Sequence, residues 1–266
     1  VPTGAFKGCG LGGNLQLHDG IGSIGTSAFA NNGFKGELVL PKDLRAIPDE
    51  CFYNNDFSGE LKLPKNLASI GARAFANNWR LMGVLEIPED VVNISPGAFA
   101  ECRSLESIVL PSALETVGSG QGYGGAFKNC YGVGSIVCKG TMPPYVQSGA
   151  FDGVAKDNFT LEVPESAVQQ YQAAGGWCEF KRIAAHYELV CRPSVACALS
   201  TQHKQTLVVN AEGEWEVESK PDWCEVSPAS GNKKTEVTLT IKSMSKNASD
   251  REGKIVFRLK NKDYTH

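Results

Sequence analysis

The sequence of 266 residues has little excess of either charge and no long apolar run. It holds 26 Lys and Arg against 29 Asp and Glu, a net charge of −3. Nucleic-acid binding needs a basic surface, and no stretch clusters Lys and Arg with aromatic residues. A membrane-spanning helix needs roughly 18 consecutive apolar residues, and no run reaches that length. We therefore expect neither a nucleic-acid partner nor a membrane span in this chain.

Sequence signatures of catalysis and metal binding are also missing. The chain has no G-x-S-x-G, no H-E-x-x-H and no phosphate-binding G-x-x-x-x-G-K-[ST] motif. It has no C-x-x-C pair, and its four His are on separate predicted elements. We therefore expect no enzyme activity, no cofactor and no metal site.

The nine cysteines are an odd number, so at least one thiol is free. Most of them occupy small apolar positions of the repeat described below, which indicates packing roles. Cys191 and Cys197 are close enough in sequence to form a disulfide, and the sequence leaves that pairing open.

A repeat of 23 to 28 residues organises the first two thirds of the chain. Its first marker is a small residue followed by Phe. Successive Phe are 23, 23, 23, 24, 28 and 24 residues apart, and they are Phe6, Phe29, Phe52, Phe75, Phe99, Phe127 and Phe151. A repeated unit of this length predicts a solenoid, because one copy cannot bury its own apolar face.

A second marker of the repeat is an apolar-x-apolar triplet. The triplets end at Leu17, Leu40, Leu63, Ile87, Leu110, Cys138 and Val163. Alternation with a period of two predicts a very short strand with one buried face, and the Pro that follows most triplets ends it. The segment around each Phe is expected to be a short helical turn or a turn. About seven stacked copies then form one parallel sheet.

The position three residues after each Phe alternates between Asn and Cys, with Val in the last copy. It holds Cys9, Asn32, Asn55, Asn78, Cys102, Cys130 and Val154. A buried Asn there is expected to bind the backbone of the turn, and Cys to fill the same small space. With its IGxxAFANN and LKLPxNLxxI segments, the chain from about Gly4 to Ile183 resembles the BspA-like leucine-rich repeats of bacterial surface proteins.

The block from Cys138 to Ile183 is the most specific part of this resemblance. It contains TMPP, an Ala-Phe pair, LEVPESAVQQYQAAGGW and two later apolar residues. In the family this block ends the array. We expect the helical run Ser166–Ala174 and Trp177 to cap the last repeat.

The periodicity changes near Ala184, where strict alternation begins. Short alternating segments separated by turns at Asn210–Gly213, Ser227–Gly231 and Ser245–Asp250 predict an antiparallel sandwich. The segment from Asn210 to Phe257 resembles a BACON domain, an immunoglobulin-like sandwich of Bacteroidetes surface proteins. This gives a repeat domain over 1–184 and a sandwich over 185–266. The resemblance implies one more strand beyond residue 266, so truncation of the sandwich stays open.

The outer face of the predicted sheet is the candidate binding surface. The middle residue of each triplet points away from the core, which gives a ladder of Gln16, Val39, Lys62, Glu86, Val109, Val137 and Glu162. An apolar centre with a polar rim suits a protein or peptide ligand. The alternative is an ordinary solvated sheet face. A Gly-rich insertion before Phe127 adds Tyr123 as a candidate contact, with a tolerated slack loop as its alternative.

Two Trp of the sandwich, Trp215 and Trp223, could stack on a sugar ring. Their alternative is a place in the sandwich core. We favour the core for Trp215, because the alternation places it in register with Val217.

The resemblances imply a secreted or cell-surface binding protein of adhesin type. Its partner would be a host matrix or mucosal protein or a glycan, bound by the solenoid, and the chain is expected to be a monomer. An extracellular or outer-surface location implies a signal or lipid anchor upstream. The alternative function is a structural scaffold or spacer without a ligand of its own.

Overall fold

The computed structural model describes residues 1–118, 124–186, 189–192, 203–211, 213–242 and 254–260. The chain divides into two compact units, Val1–His186 and Tyr187–His266, and each is described here by itself as the solenoid unit and the C-terminal unit. The predictions for Tyr123 and for the Ser245–Asp250 turn fall outside the described ranges, and so does Cys197 of the Cys191–Cys197 pair.

The solenoid unit is built from short parallel strands. In chain order they are β1 (Gly12–Gln16), β2 (Gly33–Val39), β3 (Ala46–Ile47), β4 (Asp56–Glu60), β5 (Ser69–Ile70), β6 (Arg80–Glu86), β7 (Asn93–Ile94), β8 (Ser104–Leu110), β9 (Thr116–Val117), β10 (Ser135–Cys138), β11 (Tyr145–Val146), β12 (Leu161–Pro164) and β13 (Ile183–His186). Eight of them form a long sheet in the order β1-β2-β4-β6-β8-β10-β12-β13. The predicted stack of about seven copies with a parallel sheet is therefore confirmed.

A second, short sheet runs beside the first in the order β11-β9-β7-β5-β3. Its strands have two residues each, one exposed or half-buried and one buried. Four of them, β3, β5, β7 and β9, end six residues after the Pro that follows a triplet, and the last residue of each is a buried Ile or Val. This sheet does not follow from the alternation, because two residues are too few to show a period.

The repeated Phe side chains form one continuous stack through the core. Successive rings from Phe6 to Phe151 are nearly parallel, with centroids 5.3 to 5.7 Å apart. The stack ends on Trp177, whose ring centroid is 5.4 Å from that of Phe151. Each ring therefore packs against the equivalent ring of the next turn, which is why every copy needs Phe at this position.

The segments around the Phe are turns rather than helices. In most copies the residues two before and two after the Phe have positive φ, for example Glu50 at 53° and Asn54 at 54°. Gly and Asn tolerate this conformation best, and they fill most of these positions. From Phe6 to Phe127, the amide N–H of each stacked Phe donates to a carbonyl of the next turn, as in Phe52 to Ala74 at 2.9 Å. These bonds give the solenoid a third hydrogen-bonded face.

The C-terminal end of the solenoid unit is capped as the sequence predicted. A 3-10 turn at Glu165–Ala167 leads into the helix α1, Val168–Ala173. Tyr171 and Trp177 are fully buried, and they donate hydrogen bonds to the carbonyls of Gly140 at 3.1 Å and Pro144 at 2.8 Å. The cap thus satisfies backbone groups of the last full turn and covers the end of the Phe stack.

One predicted strand is placed differently. The triplet Leu61–Leu63 was expected to form a strand, but β4 ends at Glu60. Lys62 therefore lies beyond the strand rather than within it. Leu61 is nevertheless buried and Lys62 exposed. Apolar alternation reports which side chains are buried, and here that pattern continues past the last residue whose backbone pairs in the sheet.

The C-terminal unit is antiparallel and all-β, as predicted. Its strands are β14 (Leu189–Arg192), β15 (His203–Ala211), β16 (Glu214–Ser219), β17 (Cys224–Ser227), β18 (Ser230–Asn232), β19 (Thr235–Ile241) and β20 (Val256–Leu259). They form two sheets, β14-β15-β19-β17 and β18-β16-β20. Trp215 is fully buried with its ring edge-on to Phe257, which confirms its core placement. Trp223 packs half-buried against the same core.

Candidate functional site

Four of the predicted ladder residues are direct lateral neighbours on the long sheet. Glu86 pairs with Val109, Val109 with Val137, and Val137 with Glu162. Val39 continues the outer face on β2 and is 41% exposed. The structure therefore brings together the last four ladder residues, on β6, β8, β10 and β12.

Two apolar residues on the same face were not part of the predicted ladder. Met82 and Val84, both on β6, are 45% and 43% exposed, while Leu81 and Leu85 point into the core. Val109 and Val137 are half-buried on the neighbouring strands. We call Met82, Val84, Val109 and Val137 the apolar patch. A group of exposed apolar side chains on adjacent strands marks a contact surface more strongly than scattered ones do.

Paired charges surround the apolar patch. Lys139 donates to Glu86 at 3.1 Å and to Glu89 at 3.3 Å. Partial burial works to lower the pKa of Lys139, but its bonds to the two carboxylates outweigh burial and raise the pKa. Glu162 contacts His186 on the β13 side. The patch is therefore bordered by charged residues that pair within the chain, with Lys139 shared between two carboxylates.

A second exposed cluster lies where the long-sheet strands begin. Trp79 directly precedes β6 and Arg103 directly precedes β8, while Tyr131 holds the equivalent place in the next turn. Trp79 is 54% and Tyr131 55% exposed. The Arg103 guanidinium carbon is 6.0 Å from the Trp79 ring centroid and 5.9 Å from that of Tyr131. We call these three residues the edge row.

Arg103 is held in the edge row by a carboxylate. Its Nε and Nη2 atoms donate to Glu101 Oε2 at 2.9 and 2.8 Å, and Asn129 donates to the other oxygen. Partial burial works to raise the pKa of Glu101, but the bonds from Asn129 and Arg103 outweigh it and lower the pKa. The carboxylate is therefore ionised at neutral pH and neutralises the guanidinium.

Gly132 permits the close approach that positions Tyr131. Its N–H donates to the Arg103 carbonyl at 2.9 Å. A Cβ at Gly132 would lie 2.6 Å from that carbonyl oxygen and 2.8 Å from that of Leu105. A side chain there would separate the two turns, so glycine keeps Tyr131 beside Arg103.

Sequence reasoning missed the edge row, although its signal was present. Trp79, Arg103 and Tyr131 each follow a stacked Phe by four residues. This position holds a large aromatic or Arg side chain in three consecutive repeats, and that pattern could have identified the row. The prediction considered only the triplets and the slot three residues after the Phe.

Metal ligation, membrane insertion and thiol chemistry find little support in the described part of the chain. In those residues no group of three or more His, Cys, Asp and Glu is placed to hold a metal ion, and no helix is long and apolar enough to cross a membrane. Cys102 and Cys130 are fully buried, and burial raises the pKa of Cys130 to about 12. A thiol with so high a pKa is a poor nucleophile.

Comparisons with known proteins agree with this architecture. The BspA type leucine rich repeat region matches residues 1–84 and 73–167 with six copies, and BACON, described as a putative binding domain, matches residues 213–265. Both are binding-type modules, and neither is a catalytic family. Curated proteins gave no match.

Among solved structures, the chain is similar to a leucine rich cell surface protein from Faecalibacterium prausnitzii A2-165. The sequence identity is 16% and the TM-score 0.32, over 63% of this chain and 58% of that one. This chain thus spans less than two thirds of that protein's length. Because the repeat match covers more than half of the sequence, the chain belongs to the BspA type leucine rich repeat family, with a BACON domain in its C-terminal part.

Proposed function

We propose that this chain is a secreted or cell-surface binding module of adhesin type, and that the outer face of its long sheet binds a host protein. The observation that carries this proposal is the apolar patch on β6, β8 and β10. Burying such a patch against a complementary protein surface would stabilise the complex, at roughly 25 cal/mol per Å² of apolar area removed from water.

The rim of the patch supports a protein partner as well. The charges at Lys139, Glu86 and Glu89 are already satisfied within the chain. A partner therefore does not need to supply opposite charges in fixed places. Burial of the apolar centre can then provide most of the binding free energy. This arrangement of an apolar centre and a polar rim is that of many protein interfaces.

The test is binding of the chain to an array of purified host matrix proteins and mucin-type glycans. A variant with Val109→Lys and Val137→Lys places two charges in the patch. Its matched control carries Val92→Lys and Met142→Lys, two exposed apolar residues that lie outside the long sheet. We expect saturable binding by the parent chain and the control, and its loss in the patch variant.

Two outcomes would contradict the proposal. Equal binding by the patch variant and its control would move the site away from the sheet face. If the folded parent chain bound nothing on the array, the scaffold or spacer function would be favoured instead.

A further inference from the structure

The edge row has a spacing that suits a particular class of ligand. Trp79 and Tyr131 are two solenoid turns apart, with Arg103 in the turn between them. Adjacent parallel strands are ~4.8 Å apart, so two turns separate the aromatic positions by ~9.6 Å along the stack. The rings are each more than half exposed and can accept flat apolar groups.

We propose that the edge row binds a proline-rich segment in the polyproline II conformation. That helix has three residues per turn and rises ~3.1 Å per residue, so a P-x-x-P motif presents two proline rings on one side ~9.3 Å apart. This is close to the ~9.6 Å that the strand spacing gives for the positions of Trp79 and Tyr131. Aromatic-lined surfaces are a recurrent recognition mode for such segments.

Arg103 provides the polar part of the site. In the part of the chain that the structure describes, its Nη1 atom has no hydrogen-bond partner, whereas Nε and Nη2 bind Glu101. A polyproline II backbone has no internal hydrogen bonds, so its carbonyl oxygens are free to accept from Nη1. The Arg103 guanidinium carbon is about equally far from the two ring centroids, at 6.0 and 5.9 Å, so its donors and the aromatic rings belong to one local surface.

The ion pair of Arg103 with Glu101 favours this ligand over an acidic glycan. Glu101 already accepts from Nε and Nη2 of Arg103, and this edge of the guanidinium is the one that a carboxylate or sulfate would bind with two hydrogen bonds. A carboxylate or sulfate of a glycan would meet the Glu101 carboxylate beside the guanidinium. A neutral backbone that is rich in acceptors avoids that repulsion.

This inference is independent of the apolar patch, because it rests on different residues. The test uses a short polyproline peptide as a rigid probe and a Gly-Ser peptide of equal length as a flexible control, with calorimetry and tryptophan fluorescence as readouts. The variants are Trp79→Ala with Tyr131→Ala, and the matched pair Trp79→Phe with Tyr131→Phe. The patch variant Val109→Lys with Val137→Lys is tested beside them.

We expect saturable binding of polyproline and none of the Gly-Ser peptide. Affinity should fall about tenfold or more in the double Ala variant, remain within about threefold in the double Phe variant, and be unchanged in the patch variant. The side chains of Trp79 and Tyr131 are exposed, so their variants should keep the circular dichroism and melting temperature of the parent chain, and the same two measurements establish that the patch variant is folded.

The proposal is overturned if polyproline does not bind at about 1 mM, or if it binds the double Ala variant as well as the parent chain. Binding of a neutral oligosaccharide at the row, without polyproline binding, would assign the row to a sugar and also overturn the proposal. The patch variant separates this proposal from the proposed function. If the apolar patch does not bind a host protein, the measurement of polyproline binding at the edge row is unaffected.

Discussion

At the scale of single residues, the slot three positions after each Phe connects consecutive turns. Asn55 donates to the carbonyl of Phe29, Asn78 to that of Phe52, Cys102 to that of Phe75 and Cys130 to that of Phe99. In every case the acceptor belongs to the Phe of the preceding turn. The sequence predicted that the slot would bind backbone, but not that the bond crosses between copies, because the stacking offset is not visible in a single repeat.

Replacing Asn78 by Ala should destabilise the solenoid unit by about 2 kcal/mol, because the buried carbonyls of Phe52 and Phe75 each lose their shorter hydrogen bond. The carbonyl of Phe52 then keeps only the bond from Asn55 and that of Phe75 the bond from Cys102, at 3.2 and 3.3 Å. The loss of stability is limited, because the buried Oδ1 atom of Asn78 has no hydrogen-bond partner among the described residues. The substitution to Ala also removes the free-energy cost of burying that atom. Asn78→Cys should cost less than Asn78→Ala, since Cys donates from the same slot in the next two copies. Urea unfolding of the full chain measures both.

The control for this series is Asn66→Ala at an exposed position. We expect it to change the free energy of unfolding by less than about 0.5 kcal/mol. If Asn78→Ala is no more destabilising than Asn66→Ala, the hydrogen bonds between turns are not a source of stability.

At the scale of elements, the solenoid combines two sheets with a stack of aromatic rings. The Phe period predicted the stack, since equivalent residues of a solenoid lie one above another. The starts of the long-sheet strands were less predictable. Strands such as β2 and β6 begin several residues before the triplet and bury an extra residue, Phe34 or Leu81. Each passes through a glycine with positive φ, Gly36 or Gly83, and that irregularity breaks the period of two by which strands are recognised.

The ring stack should make Phe99 more important than Phe6 for stability. Phe99 is fully buried, with neighbouring ring centroids at 5.3 and 5.5 Å, whereas Phe6 is 41% exposed and stacks on Phe29. Phe99→Leu removes two stacked pairs and should cost about 2 kcal/mol. Phe6→Leu makes the same chemical change at an exposed end of the stack and should cost less than half as much.

Denaturant unfolding followed by circular dichroism gives both values. Equal destabilisation by Phe99→Leu and Phe6→Leu would mean that ring stacking adds nothing to simple burial. A larger effect at Phe6 would place the critical contacts of the array at its first copy.

At the scale of the whole molecule, the sequence predicted which side chains share the outer face of the long sheet, but it did not predict every exposed residue of the apolar patch and the edge row. The ladder from Glu86 to Glu162 follows from side-chain alternation, which is a local property of each strand. Met82 was missed because it precedes the triplet. The edge row was missed because its meaning depends on contacts between copies, Trp79 with Arg103 and Arg103 with Tyr131, that no single copy contains.

The sequence placed a domain boundary between residues 184 and 185, and we propose that the two domains unfold independently. The core of the solenoid unit draws on residues up to Ile183, and that of the C-terminal unit on residues from Leu207 to Leu259. Each core has a fully buried Trp as a fluorescent reporter, Trp177 in the first and Trp215 in the second.

Independent unfolding predicts that a mutation in one core shifts one transition alone. Phe99→Leu should lower the denaturant midpoint of the solenoid transition and leave the other unchanged. Leu239→Ala, which removes a buried side chain from β19, should cost about 2–5 kcal/mol in the C-terminal unit and shift the midpoint of that unit. In a Trp215→Phe background the C-terminal unit has lost its fully buried Trp. The change in buried Trp fluorescence then reports the unfolding of the solenoid unit through Trp177. If both substitutions shift a single common transition, the two cores unfold as one cooperative unit and the proposed boundary is not a folding boundary.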